Sequence, residues 1–194
     1  GDHLRFVGAT PESPSTPLEG FPIDITQIAT RAYKAGTVPV TVDSFGEGFQ
    51  ITLLESGKMV TMDFRKGKLD EQIQHLISKH KEVPERFPAA DTSRQIRKII
   101  EHALREEAEN QQLNLEILFD EQGVLSIQHK KYGDHASFSV ACTTPGIITA
   151  QALASEPSEP GQDVQGRIAG DMANGHGQYL TAPLGTTAQG ASIR

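Results

Sequence analysis

The chain opens its first regular pattern at FPIDITQIATRAY (21–33). Ile23, Ile25 and Gln27 alternate with Asp24 and Thr26, the period of a half-buried strand. VPVTVDS (38–44) places Val38, Val40 and Val42 on one face and predicts a second strand. GFQITLLES (48–56) does the same with Phe49, Ile51 and Leu53. A tight turn at Gly57-Lys58 leads into MVTMDF (59–64), so 21–64 reads as a small antiparallel meander.

The period then lengthens. Leu69, Ile73, Leu76 and Ile77 fall on one side of a helix of about three turns. PERFP (84–88) breaks it. A second helix is expected to start at Thr92, where Thr92 and Gln95 have the spacing of a capping box. Ile96, Ile99, Ile100, Ala103 and Leu104 form its apolar stripe, with charges opposite.

From Leu113 the period returns to two. LNLEILFD (113–120) alternates, Asp120-Glu121-Gln122-Gly123 reads as a hairpin turn, and VLSIQHKK (124–131) returns. Tyr132-Gly133-Asp134 turns again into ASFSVAC (136–142). Further on, QDVQGRIAG (162–170) reads as a strand, NGHG (174–177) as a turn and QYLTA (178–182) as its partner. The tail 183–194 is small, polar and Gly-rich. Strands, two helices and more strands in segregated runs predict an α+β fold of antiparallel modules. The Pro-, Ser- and Gly-rich stretches 8–20 and 155–161 read as loops or linkers.

Composition narrows the classes. The 194 residues suffice for one ordinary domain or two small ones. Residues 65–110 hold ten Lys or Arg and nine Asp or Glu, so they balance to +1 and the β-rich remainder carries −8 against the chain's net −7. An acidic chain has no bulk attraction for phosphate backbones, which argues against nucleic acid as a partner. The most apolar stretch, 146–154, is too short to span a membrane. A single cysteine, Cys142, excludes an intrachain disulfide framework and a Cys-based zinc site. The first residues carry no basic-then-apolar leader, so no cleaved signal peptide is expected.

Candidate chemistry is sparse. His75 and His80 are five apart and point to different faces of a helix. His102 lies on a charged face. His129 and His135 are close enough to approach across a hairpin, without a third ligand. Cys142 closes an apolar strand and reads as a small buried hydrophobe rather than a nucleophile. Asp134, His135 and Ser137 bring three triad residue types together, but neighbours on a strand face opposite ways. Gly175 and Gly177 lack the third glycine of a dinucleotide loop and read as positive-φ turn residues. No catalytic, cofactor-binding or metal-ligating residue is assigned, no cofactor is expected, and the chain is read as a non-enzyme.

Three stretches carry a resemblance. IDITQIATRA (23–32) is similar to a strand of the type V-x-V-T-Q-L-A, and 120–140 resembles a hairpin G-x-L-x-L-x-S-x-x-Y-G-S-x-x-S-F-x-V. GQDVQGRIAGDMANGHGQYLTA (161–182) resembles G-x-D-V-x-G-T-I-N-G-x-x-A-x-G-x-G-Q-x-L-T. In that last stretch Gly161, Asp163, Val164, Gly166, Ile168, Gly170, Gly175, Gly177, Gln178, Leu180 and Thr181 match, whereas Arg167 and Ala169 replace Thr and Asn. These patterns belong to the flagellar hook-associated protein 2 family, the filament-capping proteins.

The resemblance implies a split β-rich outer domain of residues 1–36 with 146–194, and an α+β domain, 37–145, inserted into it. It also implies an extracellular flagellar location with export lacking a cleaved signal peptide. Coiled-coil helices would flank this stretch. The implied partners are further copies in a homo-oligomeric ring, flagellin, hook-filament junction proteins and a host surface ligand, with no membrane insertion. The implied role is capping the filament tip and promoting flagellin polymerisation. A flagellin or other axial protein carrying the module as an adhesive surface insertion is the alternative.

Overall fold

In the computed structural model the described residues are 4–11, 13–16 and 19–194; of the expected 8–20 loop, Glu12, Pro17 and Leu18 lie outside them. The chain begins with β1 (Phe6–Gly8), β2 (Ile23–Gln27), β3 (Arg31–Ala35), a short helix α1 (Val42–Phe45), β4 (Gln50–Glu55) and β5 (Lys58–Asp63). Two helices follow, α2 (Gly67–Glu82) and α3 (Ala89–Asn110). Then come β6 (Leu115–Phe119), β7 (Leu125–Tyr132), β8 (Ser139–Cys142) and β9 (Glu156–Pro157). The chain ends in β10 (Gln165–Ile168), β11 (Asp171–Met172), β12 (Asn174–His176), β13 (Tyr179–Thr181) and β14 (Ser192–Ile193). The fold is α+β with antiparallel sheets, as the periodicities predict.

The chain divides into two compact units. One comprises residues 1–32, 131–136 and 160–194; the other comprises 33–130 and 137–159. The sequence-based boundaries, 36/37 and 145/146, differ from these. Residues 146–159 count with the second unit because β9 pairs with β8, through Ser139↔Pro157 and Val140↔Glu156. The stretch 155–161, expected as a linker, is therefore partly strand.

The second unit holds a sheet in the order β5-β4-β8-β9 and the three helices. The β4–β5 hairpin turns on Ser56 and Gly57, one residue before the expected Gly57-Lys58 because Lys58 already pairs with Glu55, and φ angles of 52° and 77° suit the right-handed strand twist. Phe49, Ile51 and Leu53 are fully buried, as expected. Phe49 stands edge-on to both Phe45 and Phe64, with centroids 5.5 Å away in each case. Helix α3 packs on α1, α2, β5 and β6 and buries Ile96, Ile100, Ala103 and Leu104; Ile99 is only half-buried. Helix α2 buries Ile73 and Ile77. The β6–β7 hairpin belongs to a sheet ordered β3-β7-β6, and β3 and β7 span the boundaries 32/33 and 130/131.

Three local expectations are corrected here. VPVTVDS forms no strand. The Thr41 hydroxyl accepts from the Ser44 amide and the Ser44 hydroxyl from the Thr41 amide, a reciprocal cap that winds 42–45 into α1. The meander over 21–64 reduces to the β4–β5 hairpin, because β2 pairs with β10 instead. Thr92 does not cap α3. Ala89 and Ala90 extend the helix back to Pro88, and Thr92 is buried in its first turn.

The first unit contains the sheets β1-β14-β13-β12 and β11-β10-β2. Val164, Ile168, Leu180, Ala182, Ala188 and Ile193 form its small core. NGHG is mostly strand rather than turn. β12 pairs through His176↔Tyr179, so the reversal falls on Gly177-Gln178. Gly177 has the expected positive φ of 56°, but Gly175 does not. Gly175 is needed for a different reason: a Cβ there would collide with the Val164 carbonyl oxygen. The Gly-rich tail contributes β14, which pairs with both β1 and β13.

Candidate functional site

The densest group of chemically versatile side chains lies in the first unit. His135 follows the Tyr132-Gly133-Asp134 turn, Asp163 precedes β10, and His176 closes β12. The His135 and His176 rings stack, with centroids 4.5 Å apart and planes inclined by 21°. Asp163 completes the group, and one potential ligand atom from each residue lies within 4.8 Å of the others. Both imidazoles are exposed and the carboxylate is half-buried.

Backbone geometry holds this arrangement. The Gly177 amide donates to Asp163 Oδ1 at 2.6 Å. The Gln27 side-chain amide donates to the Asp163 carbonyl at 2.8 Å, tying the same residue to β2. Gly133 adopts φ 104°, and a Cβ there would strike Asp163 Oδ1 and come within 2.9 Å of His135 Nδ1. A residue without a side chain is thus required beside the cluster. Next to it opens a polar cleft of about 580 Å³, lined among others by Gln27, Asp134, Asp163 and Asn174. Among the described residues its lining holds carboxylates and amides but no hydroxyl or thiol nucleophile.

The other described histidines separate. His129 meets Glu55, a partner the hairpin expectation does not name. Its position in β7 follows the inward alternation of Leu125 and Ile127, so it is buried in the second unit against Glu55, Nε2 to Oε1 at 3.3 Å. His75 is exposed, and His80 Nδ1 lies 2.7 Å from the Phe87 carbonyl oxygen. His102 is exposed at 3.7 Å from Glu106. Cys142 is 1% exposed, and burial pushes its thiol pKa up, as its reading as a small hydrophobe expects.

In the sequence His135 carries no sign of a third ligand, and His176 reads only as part of the NGHG turn. Asp163 reads only as a member of the 161–182 pattern, and Gly175 and Gly177 also as turn glycines. The signal was present in that pattern: its strands and glycines bring Asp163 beside the end of β12. No short ligand motif joins His135, in the turn after β7, to residues 28 and 41 positions further on.

No family model matches the chain, and no curated protein matches it. Solved structures do. The D2-D3 domains of the flagellar cap protein FliD from Serratia marcescens are 9% identical, with a TM-score of 0.51 covering 98% of this chain and 90% of that one. The D2-D3 domains of FliD from Escherichia coli are 10% identical, with a TM-score of 0.50 over 98% and 85% of the two chains. At these identities the likeness is one of fold, and it extends over nearly the whole chain.

Proposed function

We propose that this chain is the outer part of a flagellar filament-cap protein, a structural component that assembles at the filament tip and promotes flagellin addition. The carrying observation is the fold likeness to the D2-D3 domains of flagellar cap proteins over 98% of the chain. Support of a different kind comes from 161–182. The stretch whose sequence resembles the cap family folds as the β10–β11 and β12–β13 hairpins, and its glycines occupy positions with tight backbone constraints.

On this reading a split outer domain carries a second domain inserted into it, and the compact units put the outer domain at 1–32, 131–136 and 160–194 and the inserted one at 33–130 and 137–159, in place of the sequence-based 1–36 with 146–194 and 37–145. The nested order of the two compact units supports that plan, since each unit is built from separated chain segments. The protein acts extracellularly, through surfaces rather than chemistry, and its partners are further copies of itself and flagellin. The β modules hold together by strand pairing and small apolar cores, with no disulfide among the described residues.

The test is deletion and complementation of the gene in its own host. Loss of filaments with flagellin released into the medium, restored by the full-length gene, is the expected result. Immunogold labelling should mark filament tips. Labelling along the whole filament would assign the chain to a filament subunit, and unaffected filaments in the deletion strain would exclude an axial role.

A further inference from the structure

We propose that His135, Asp163 and His176 form a binding site for a divalent first-row transition metal, with Zn²⁺ the natural occupant. This does not rest on the flagellar reading. The donor set is two imidazoles and one carboxylate, which suits Zn²⁺ and its neighbours and not Ca²⁺ or Mg²⁺, whose sites are built from oxygen. Three protein ligands with a fourth position left to water make a tetrahedral site of the open kind.

The geometry is close to what such a site requires. Tetrahedral Zn²⁺ with bonds of about 2.0–2.1 Å brings its ligand atoms to roughly 3.3 Å from one another. Here they already lie within 4.8 Å. The remaining closure is on the order of 1 Å, within reach of rotation by two exposed imidazole side chains about χ1 and χ2. Asp163 is the fixed member: the Gly177 amide holds Oδ1 at 2.6 Å and leaves the other oxygen for the ion. Such an outer hydrogen bond is how a ligating carboxylate is ordinarily aimed. Gly133, with no side chain, leaves space for Asp163 and His135 to share one side of the turn.

The stacked histidine pair has a plainer use, as two rings shielding each other's faces beside a carboxylate. That arrangement needs no metal, and it makes the opposite prediction. A bound ion would join the turn after β7, the segment before β10 and the end of β12, three parts of one unit that are distant in sequence. It would therefore act as a staple for a unit with a small core.

The experiment is Zn²⁺ titration of the metal-stripped 194-residue chain by calorimetry, with Co²⁺ absorption reporting the coordination. The expected result is one ion per chain at micromolar affinity, a rise in Tm of about 5 °C at 100-fold excess over Kd, and visible Co²⁺ bands. His135→Ala, His176→Ala and Asp163→Asn should each weaken binding at least tenfold. Asp163→Asn keeps the acceptor for Gly177, and circular dichroism checks that each variant folds. Absence of saturable binding below about 100 μM overturns the proposal. So does binding that all three substitutions leave unchanged, which would place the ion on other histidines.

Discussion

His129 and Glu55 meet inside the second unit with Nε2 3.3 Å from Oε1 and both side chains only 3% exposed. Burial works to raise the Glu55 pKa, but the Ser56 hydroxyl, the Asn114 amide and His129 outweigh it and hold the carboxyl below its ordinary 4.5. A carboxylate depressed in the folded state stabilises the protein fully above the unfolded pKa. The contribution is lost as pH falls through the folded value. The second unit should therefore lose stability below about pH 4.5. Glu55→Gln should flatten that loss at a cost of about 1 kcal/mol near neutral pH. Urea titrations from pH 7 to pH 3 measure both, and matching acid profiles for the two proteins would remove Glu55 from the account.

Phe49 is fully buried and stands edge-on to two further rings. Its truncation removes transfer energy, two ring contacts and leaves a cavity. Phe49→Ala should cost about 3–5 kcal/mol, and Phe49→Leu clearly less. Denaturant midpoints at constant m decide it.

Gly175 sits where a Cβ would overlap the Val164 carbonyl oxygen, so the strand must shift to admit one. Gly175→Ala should destabilise the first unit by about 2 kcal/mol or more. Faster amide exchange at Leu180 and Ile168 would register the damage, and unchanged protection there would show that the strand accommodates the methyl.

The β10–β11 hairpin turns on Ala169 and Gly170 with φ of 55° and 86°, the signature of a type I′ turn. Alanine is strained in the left-handed region, whereas asparagine tolerates it. Ala169→Asn should stabilise by about 0.5–1 kcal/mol. A fall in Tm would mean that packing of the Ala169 methyl against the small core matters more than the turn.

Cys142 is buried with its thiol pKa pushed up by desolvation. Both effects suppress the thiolate. Ellman's reagent at pH 8 should react with the folded protein far more slowly than with the denatured chain. Comparable rates would show that β8 opens readily.

Where one face of an element meets one core, local pattern was enough. The stripes of α2 and α3 and the alternation in β4, β6 and β7 follow directly from burying every second, or every third and fourth, side chain. The failures share a cause as well. Val40 and Val42 are buried as a strand reading of 38–44 requires but Val38 is exposed, and the Thr41–Ser44 cap and Pro39 favour a helical turn that hydrophobicity alone does not distinguish from a strand. Thr92 and Gln95 have the spacing of a cap but lie inside a helix that two alanines extend backwards.

Strand partners lie beyond local reach altogether. β2 pairs with β10, β4 with β8, and β1 with β14, each across a large part of the chain. Periodicity records which face of a strand is buried, not which strand lies beside it. The same holds for chemistry. Leu53 is buried because its own pattern demands it, and no partner need be known. His135, Asp163 and His176 carry no pattern that announces one another; the tertiary structure brings them together, beside the turn that follows β7 and the strands β10 and β12. Residue type and period thus settle what each segment buries, because burial is a property of one face of one element. Proximity between distant residues is a property of how the segments close on each other, and that emerges only once the chain has closed.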